Sequence, residues 1–145
     1  MNVKTPECKL RLSEMVLMLA EAYCHKGDSE KALKWLNELR RNRIEGVSDL
    51  TVGTLPEVRE GDRIVVDCYG KPLTPLLQAI FDERRKEMYM EGDRWYELKR
   101  NGCPEWWIIS NGLKYTTKAY LYTSPISKSD VDLNPGLEQN PGYVY

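Results

Sequence analysis

The sequence contains one histidine and one phenylalanine, and its formal net charge is only −1. A single histidine excludes a histidine-based catalytic triad and a metal site built on several histidines. The position of His25 just before Lys26-Gly27 instead predicts a side chain that stabilises the negative end of a helix. Every lysine- or arginine-rich stretch has acidic residues close by in the sequence. Nucleic acid is therefore not an expected partner.

Long apolar runs and closely spaced cysteines are also missing. The longest apolar run, Met15 to Ala20, has six residues, against about 20 for a membrane helix. The start of the sequence has no pattern of a signal peptide or lipidation site. The cysteines form no C-x-x-C pair, so neither a zinc site nor a disulfide framework is indicated. We expect unbridged, mostly buried thiols at Cys8, Cys24, Cys68 and Cys103.

Residues 8–44 predict a helical hairpin. Apolar residues recur three or four positions apart from Leu12 to Lys26, as in an amphipathic helix. Gly27 fits a left-handed cap at its end, and a second helix should end near Arg43. LAEAYCHKGDSEKALKWLNEL, residues 19–39, also follows the pattern of one tetratricopeptide repeat. The apolar stripe of the first helix consists of Leu12, Met15, Val16, Leu19, Ala20 and Tyr23.

Residues 74–102 predict a helix, a bend and a second helix. Pro75 fits the first turn of the first helix, and Gly92 can end it. Asp93 can cap the second helix, on which Trp95 faces the same side as Leu98. The expected buried residues of the first helix are Leu76, Leu77, Ile80, Phe81, Met88 and Tyr89.

The charged part of this segment allows two interpretations. Glu83, Glu87 and Glu91 lie on one helix face, where exposed ion pairs with nearby lysines and arginines contribute little. Alternatively, Glu83 and Glu87 could be the acid and base of a glycoside hydrolase. The surrounding cations would lower the pKa of the acid, whereas catalysis requires a raised pKa. We therefore predict a solvated charged face and no enzymatic activity.

Two segments lack a helical pattern. Residues 45–73 are punctuated by glycine and proline and predict a loop or an insertion, with a short strand at 63–69. Residues 103–145 predict an extended tail with a short strand at 115–122. No metal or cofactor is implied by either segment.

Trp106 and Trp107 are the candidate ligand-binding residues. They follow Pro104 in what the sequence predicts to be a loop, and exposed indoles offer flat apolar surfaces to sugar rings. Burial in the core is the alternative for both residues.

Three stretches together resemble one family. ERRKEMYMEGDRWYELKRNG, SEMVLMLAEAYCHKGDSEKALKWLNELRRNR and SPISKSDVDLNPGLEQNPGY are similar to segments near the C-terminus of SusD/RagB-type outer-membrane nutrient-binding lipoproteins. They occupy residues 83–102, 13–43 and 124–143, respectively. Along the chain, the three stretches follow one another in the same order as in the family. Residues 46–72 match nothing recognised in the family.

The segment patterns together predict a mainly α fold: a tetratricopeptide-like hairpin, two further helices, a short β element and an extended C-terminal tail. The length and composition predict a single domain, residues 1–145. The resemblance implies that this domain is a C-terminal fragment of a larger lipoprotein at the cell surface. That protein would bind oligosaccharide or another nutrient, such as peptide, without catalysis and would work with a SusC-like TonB-dependent outer-membrane transporter. Cys8 has no apolar leader and is not expected to be the lipid anchor.

A free-standing tetratricopeptide-like module for protein–protein interaction is the alternative function.

Each hairpin of a repeat array is buried by its neighbour. We therefore expect part of the stripe formed by Leu12, Met15 and Leu19 to be exposed in this chain.

Overall fold

The computed structural model of the protein describes residues 11–144, which divide into two compact units. The first unit contains residues 11–60 and 72–94, and the second contains residues 61–71 and 95–144. Cys8 and the first residues of the predicted hairpin lie outside the described residues. That the chain folds as one cooperative domain stays a prediction.

The predicted helical hairpin is present in the first unit. Its two helices are α1 (Leu12–His25) and α2 (Ser29–Arg41). Between them Gly27 has a φ of 78°, in the left-handed region. The Asp28 carboxylate accepts a hydrogen bond of 3.1 Å from the Lys31 backbone N–H, which caps α2. The second helix ends at Arg41, two residues earlier than predicted.

We expect Gly27→Ala to destabilise the fold through backbone strain alone. A Cβ at Gly27 would meet nothing within 4 Å, so only the left-handed conformation opposes the change. The free energy of unfolding should fall by about 1 to 2 kcal/mol. Gly53 is the control, because its Cβ would also meet nothing and its φ is not left-handed. Equal denaturation midpoints for Gly27→Ala and Gly53→Ala would contradict this account of the turn.

The core of the first unit lies between the hairpin and a third helix, α3 (Pro75–Glu87). Leu17, Leu36 and Ile80 bring large buried side chains from the three helices. Ala20 of α1 is also fully buried, and its small size lets a neighbouring helix approach closely. The complete set of buried core residues is Leu17, Ala20, Ala32, Leu33, Leu36, Leu39, Leu76, Ala79 and Ile80.

The opposite face of α1 is exposed and apolar. Leu12 is 79% exposed, Met15 58% and Leu19 37%. This confirms that part of the apolar stripe is left without cover in the described structure.

The end of α3 differs from the prediction. The helix ends at Glu87, one turn before Gly92, and Met90 and Gly92 both have left-handed φ values of 65° and 79°. These two residues turn the chain so that Asp93 returns to α3, where its carboxylate contacts Arg84. Tyr89 lies beyond the end of the helix and is exposed, so its predicted burial was wrong. Met88 is buried as predicted.

The second unit contains most of α4 (Asp93–Arg100), an antiparallel hairpin of two strands, and a short helix. Its strands β1 (Trp106–Ser110) and β2 (Leu113–Thr117) pair from Trp106 opposite Thr117 to Ser110 opposite Leu113. Asn111 and Gly112 form the two-residue turn with φ values of 50° and 75°. Positive φ at both positions is the signature of a type I′ turn, which suits the twist of the strands. The short helix is α5 (Lys128–Leu133).

The position of the β structure corrects the sequence analysis. Residues 63–69 form no strand, because the Asp67 carboxylate accepts hydrogen bonds of 2.8 Å from the backbones of Tyr69 and Lys71 and closes a turn there. Residues 115–122 are strand only to Thr117, and a 3₁₀ turn, Ala119–Tyr122, follows.

The C-terminal tail folds back on residues 123–126. The Gln139 side chain accepts a hydrogen bond of 2.8 Å from the Ile126 backbone N–H and donates one of 2.9 Å to the Ile126 carbonyl. Asn140 donates to the Ser124 carbonyl at 2.7 Å, and the Tyr143 hydroxyl donates to the Thr123 carbonyl at 2.8 Å. Polar side chains thus replace a strand partner for this part of the backbone.

Among residues 11–144 the longest helix has 14 residues, and none is both long and apolar enough to cross a bilayer. The described elements, five α-helices and one two-stranded sheet, confirm the predicted mainly α fold with a small β element.

Candidate functional site

The two candidate tryptophans lie on strand β1, not in the predicted loop. Successive residues of a strand point to opposite faces, so the two indoles are separated by the sheet. Trp106 is half-buried, whereas Trp107 is 53% exposed. The structure therefore gives the two residues different environments.

Trp106 is held by an aromatic cluster. Its Nε1–H donates a hydrogen bond of 3.0 Å to the Tyr122 hydroxyl, which donates to the Pro104 carbonyl at 2.8 Å. The Tyr122 ring stacks on Trp95 with centroids 4.5 Å apart, and the Arg63 guanidinium lies 4.5 Å from the centroid of Trp106. Because its polar edge and one face are engaged, Trp106 supports the hairpin and offers little surface to a ligand.

Trp107 faces solvent on the other side of the hairpin. No hydrogen bond joins its indole N–H to the part of the chain that the structure describes. Thr116 lies directly opposite on β2, and the Lys114 ammonium lies 4.9 Å from the centroid of the indole. This face therefore combines the apolar indole ring of Trp107, the hydroxyl of Thr116 and the ammonium group of Lys114.

The other charges of the hairpin are paired. The Lys118 ammonium donates a hydrogen bond of 2.8 Å to the Glu105 carboxylate and holds the pKa of Glu105 below its usual value. Within residues 11–144, Lys114 forms no ion pair. The side of the hairpin that carries Trp107 therefore has a positive charge that is not compensated by a close carboxylate.

The residues assigned structural roles lie in two turns, at the start of α4 and in the aromatic cluster of Trp106. Gly27 and Gly92 occupy turns of the first unit with left-handed φ. Asp93 is the first residue of α4, and its carboxylate forms a two-bond ion pair with Arg84 that the sequence did not reveal. Trp95 belongs to the aromatic cluster beneath Trp106.

The carboxylates of α3 are bound by cations on α2, on the residues next to α1 and α2, and on α3 itself, which corrects the prediction of a solvated charged face. Glu83 accepts from Lys86 at 2.8 Å and lies 3.8 Å from Arg40 of α2. Glu87 accepts from Arg43 at 2.8 Å and from Arg11 at 2.6 Å. The sequence pairs proposed within one helix missed these partners, because Arg11 and Arg43 are distant in sequence.

The electrostatics of Glu87 do not suit a general acid. The hydrogen bond from Arg43 lowers the pKa of Glu87, and the Arg11 guanidinium contributes in the same direction. A general acid in glycoside hydrolysis needs a raised pKa. Both carboxylates are engaged by cations from other parts of the first unit, and we read them as stabilising the packing of its helices.

The sequence and fold resemble known proteins. The model of the SusD family matches residues 2–143. A SusD-like protein from Formosa agariphila is 32% identical over 134 residues, which are 92% of this chain and 24% of that protein.

Two solved structures are also similar. A SusD-like protein from Bacteroides fragilis has 27% identity and a TM-score of 0.59, covering 92% of this chain and 25% of the other. A candidate sugar-binding protein from Bacteroides vulgatus has 32% identity and a TM-score of 0.63, covering 93% of this chain and 28% of the other. The chain spans about a quarter of the length of these relatives. Since the family model matches nearly the whole chain, this chain belongs to the SusD family.

Proposed function

We propose that this chain is the C-terminal part of a cell-surface lipoprotein that captures glycans, and that Trp107 provides one of its sugar contacts. Family membership supports the class of function, and the name of the relative from Bacteroides vulgatus supports sugar as the ligand. The exposed indole of Trp107 is the observation that carries the site. Its flat apolar surface matches the C–H face of a pyranose ring better than it matches an extended peptide.

The hairpin is suited to hold the exposed indole of Trp107, here called the Trp107 platform, in place. Ladder pairing and the Asn111-Gly112 turn fix β1 and β2, and the cluster beneath Trp106 fixes the base of the hairpin. A rigid platform loses little conformational entropy when a ligand binds. A rigid hairpin therefore suits a binding role, and we propose that this role involves no catalysis.

The proposed setting follows from the family. The complete protein would be anchored at the outer surface of the outer membrane and would pass its ligand to a SusC-like TonB-dependent transporter. This partnership belongs to the whole lipoprotein, of which the chain represents about a quarter of the length.

We expect Trp107→Ala to weaken binding of oligosaccharides to the chain by about tenfold, the loss expected from one buried stacking contact. Calorimetric titration with a panel of neutral and acidic oligosaccharides would measure the affinities. Tyr89→Ala is the control, since Tyr89 is exposed but lies outside the hairpin. Equal affinities for Trp107→Ala and the unaltered chain would count against the site, and absence of any glycan binding would count against the function.

A protein–protein interaction module remains the second candidate. The exposed apolar face of α1, with Leu12, Met15 and Leu19, favours it, because such faces mark binding or packing surfaces. The same face is explained by the greater length of the relatives if one of their other helices covers it. Membership of the SusD family favours nutrient capture.

A further inference from the structure

We infer that the Trp107 platform selects acidic sugars over neutral ones and that Lys114 is the residue that determines this selectivity. The inference rests on the proposed glycan-binding function and specifies its class of ligand. The acidic group can be a uronate carboxylate or a sulfate ester, since both offer anionic oxygens to an ammonium group.

The register of the hairpin places Lys114 beside the platform. Trp107 pairs with Thr116 and Ile109 pairs with Lys114, so the four side chains share one face of the two-stranded sheet. Lys114 is the diagonal neighbour of Trp107, a spacing that long side chains bridge. Its ammonium lies 4.9 Å from the centroid of the indole, within the range of a cation–π contact.

This contact affects neutral and acidic sugars differently. The ammonium occupies one side of the ring, so a neutral sugar that stacks there must displace it and lose the cation–π attraction. An acidic sugar compensates for the same displacement by accepting a charge-assisted hydrogen bond from the ammonium. The geometry therefore favours ligands whose anionic group lies at the edge of the stacked ring.

The surrounding charges do not cancel that preference. Glu105 is the carboxylate of the hairpin, and it is bound by Lys118 at 2.8 Å. Lys114 has no carboxylate partner within the described part of the chain, so its charge is available to a ligand. Both lysines lie on β2 or directly after it. Lys118→Gln alone would free the Glu105 carboxylate, so the double variant Glu105→Gln/Lys118→Gln, which removes a lysine of the same hairpin together with its partner, is the control for Lys114→Gln.

The test compares three oligosaccharides of equal length: one of glucose, one containing glucuronic acid and one carrying sulfate esters. The unaltered chain should bind at least one acidic oligosaccharide about fivefold more tightly than the neutral one, as expected for one exposed ion pair. The preference should shrink at high salt, because the ions screen an exposed charge. Lys114→Gln should remove the preference and leave neutral binding equal or stronger, whereas Glu105→Gln/Lys118→Gln should retain it.

The outcomes separate this inference from the proposed function. Binding of neutral and acidic sugars with equal affinity, lost in Trp107→Ala and unchanged in Lys114→Gln, would overturn the selectivity and keep the platform. Failure of the unaltered chain to bind any of the three would overturn both. A preference for only the uronate or only the sulfate, lost in Lys114→Gln, supports the inference and identifies the anion.

Discussion

Replacing Arg84 with alanine should lower the free energy of unfolding by about 3 kcal/mol, because it leaves two carboxylates without their shared cation in a largely buried site. The Arg84 side chain is only 8% exposed. Its Nε and a terminal nitrogen contact Asp93 at 2.8 and 2.7 Å, and it also donates to Glu14 at 3.0 Å. One guanidinium thus joins α1, α3 and the start of α4.

The neighbouring Arg85 provides a matched control. Its side chain is 46% exposed and lies 3.4 Å from Asp82. Such an exposed pair contributes at most about 1 kcal/mol, so Arg85→Ala should have a small effect. Arg84→Lys should recover only part of the lost stability, since an ammonium cannot form the two parallel bonds to Asp93. Urea denaturation curves in which Arg84→Ala and Arg85→Ala coincide would show that the buried contact does not link the helices.

The helical hairpin could be predicted because its determinants are local. The apolar spacing of α1 and the single residue Gly27 are sufficient to set two helices and the turn between them. The exposed face of α1 followed from the same stripe, since a lone hairpin cannot cover both of its sides. These features need no knowledge of residues that are distant in sequence.

The contacts of α3 could not be predicted in the same way. Each arginine on this helix could pair with a carboxylate three or four positions away, and the sequence alone favours those local pairs. In the structure, Arg84 pairs with Glu14, and Glu87 with Arg11 and Arg43. Only the packing of three helices makes these pairs close, so the ends and partners of α3 depend on the tertiary structure.

The strands carrying the candidate site were predictable from a signal that was not used. WWIIS and LKYTT flank Asn111-Gly112, and two strand-like runs separated by Asn-Gly are a strong indication of a hairpin. The pairing then follows from the turn, and it places Trp106 and Trp107 on opposite faces. Which face is buried could not be derived, because it depends on the cluster of Tyr122 and Trp95.

The second large effect is expected at Gly142 in the C-terminal tail. A Cβ there would lie 2.4 Å from Cγ of Tyr120 and 2.8 Å from two further atoms of that side chain. A change of the Tyr120 rotamer cannot relieve the whole clash, because one of these atoms is Cβ of Tyr120, whose position is fixed by the backbone. Gly142 has a φ of 90° as well, so Gly142→Ala combines a steric clash with backbone strain. Docking of the tail should weaken by about 2 kcal/mol or more.

Hydrogen exchange at Ile126 is the measurement that reports this change. Its backbone N–H donates to Gln139 only while the tail is docked on residues 123–126, so a loss of about 2 kcal/mol should accelerate its exchange by about 30-fold. The core amides of α1 and α2 should exchange at unchanged rates, because opening of the tail is a local event that leaves these helices folded. Gly136→Ala is the control, as a Cβ there meets nothing within 4 Å and its φ is not left-handed. Unchanged exchange at Ile126 in Gly142→Ala would mean that Tyr120 can move aside and that the side-chain hydrogen bonds hold the tail without the close contact at Gly142.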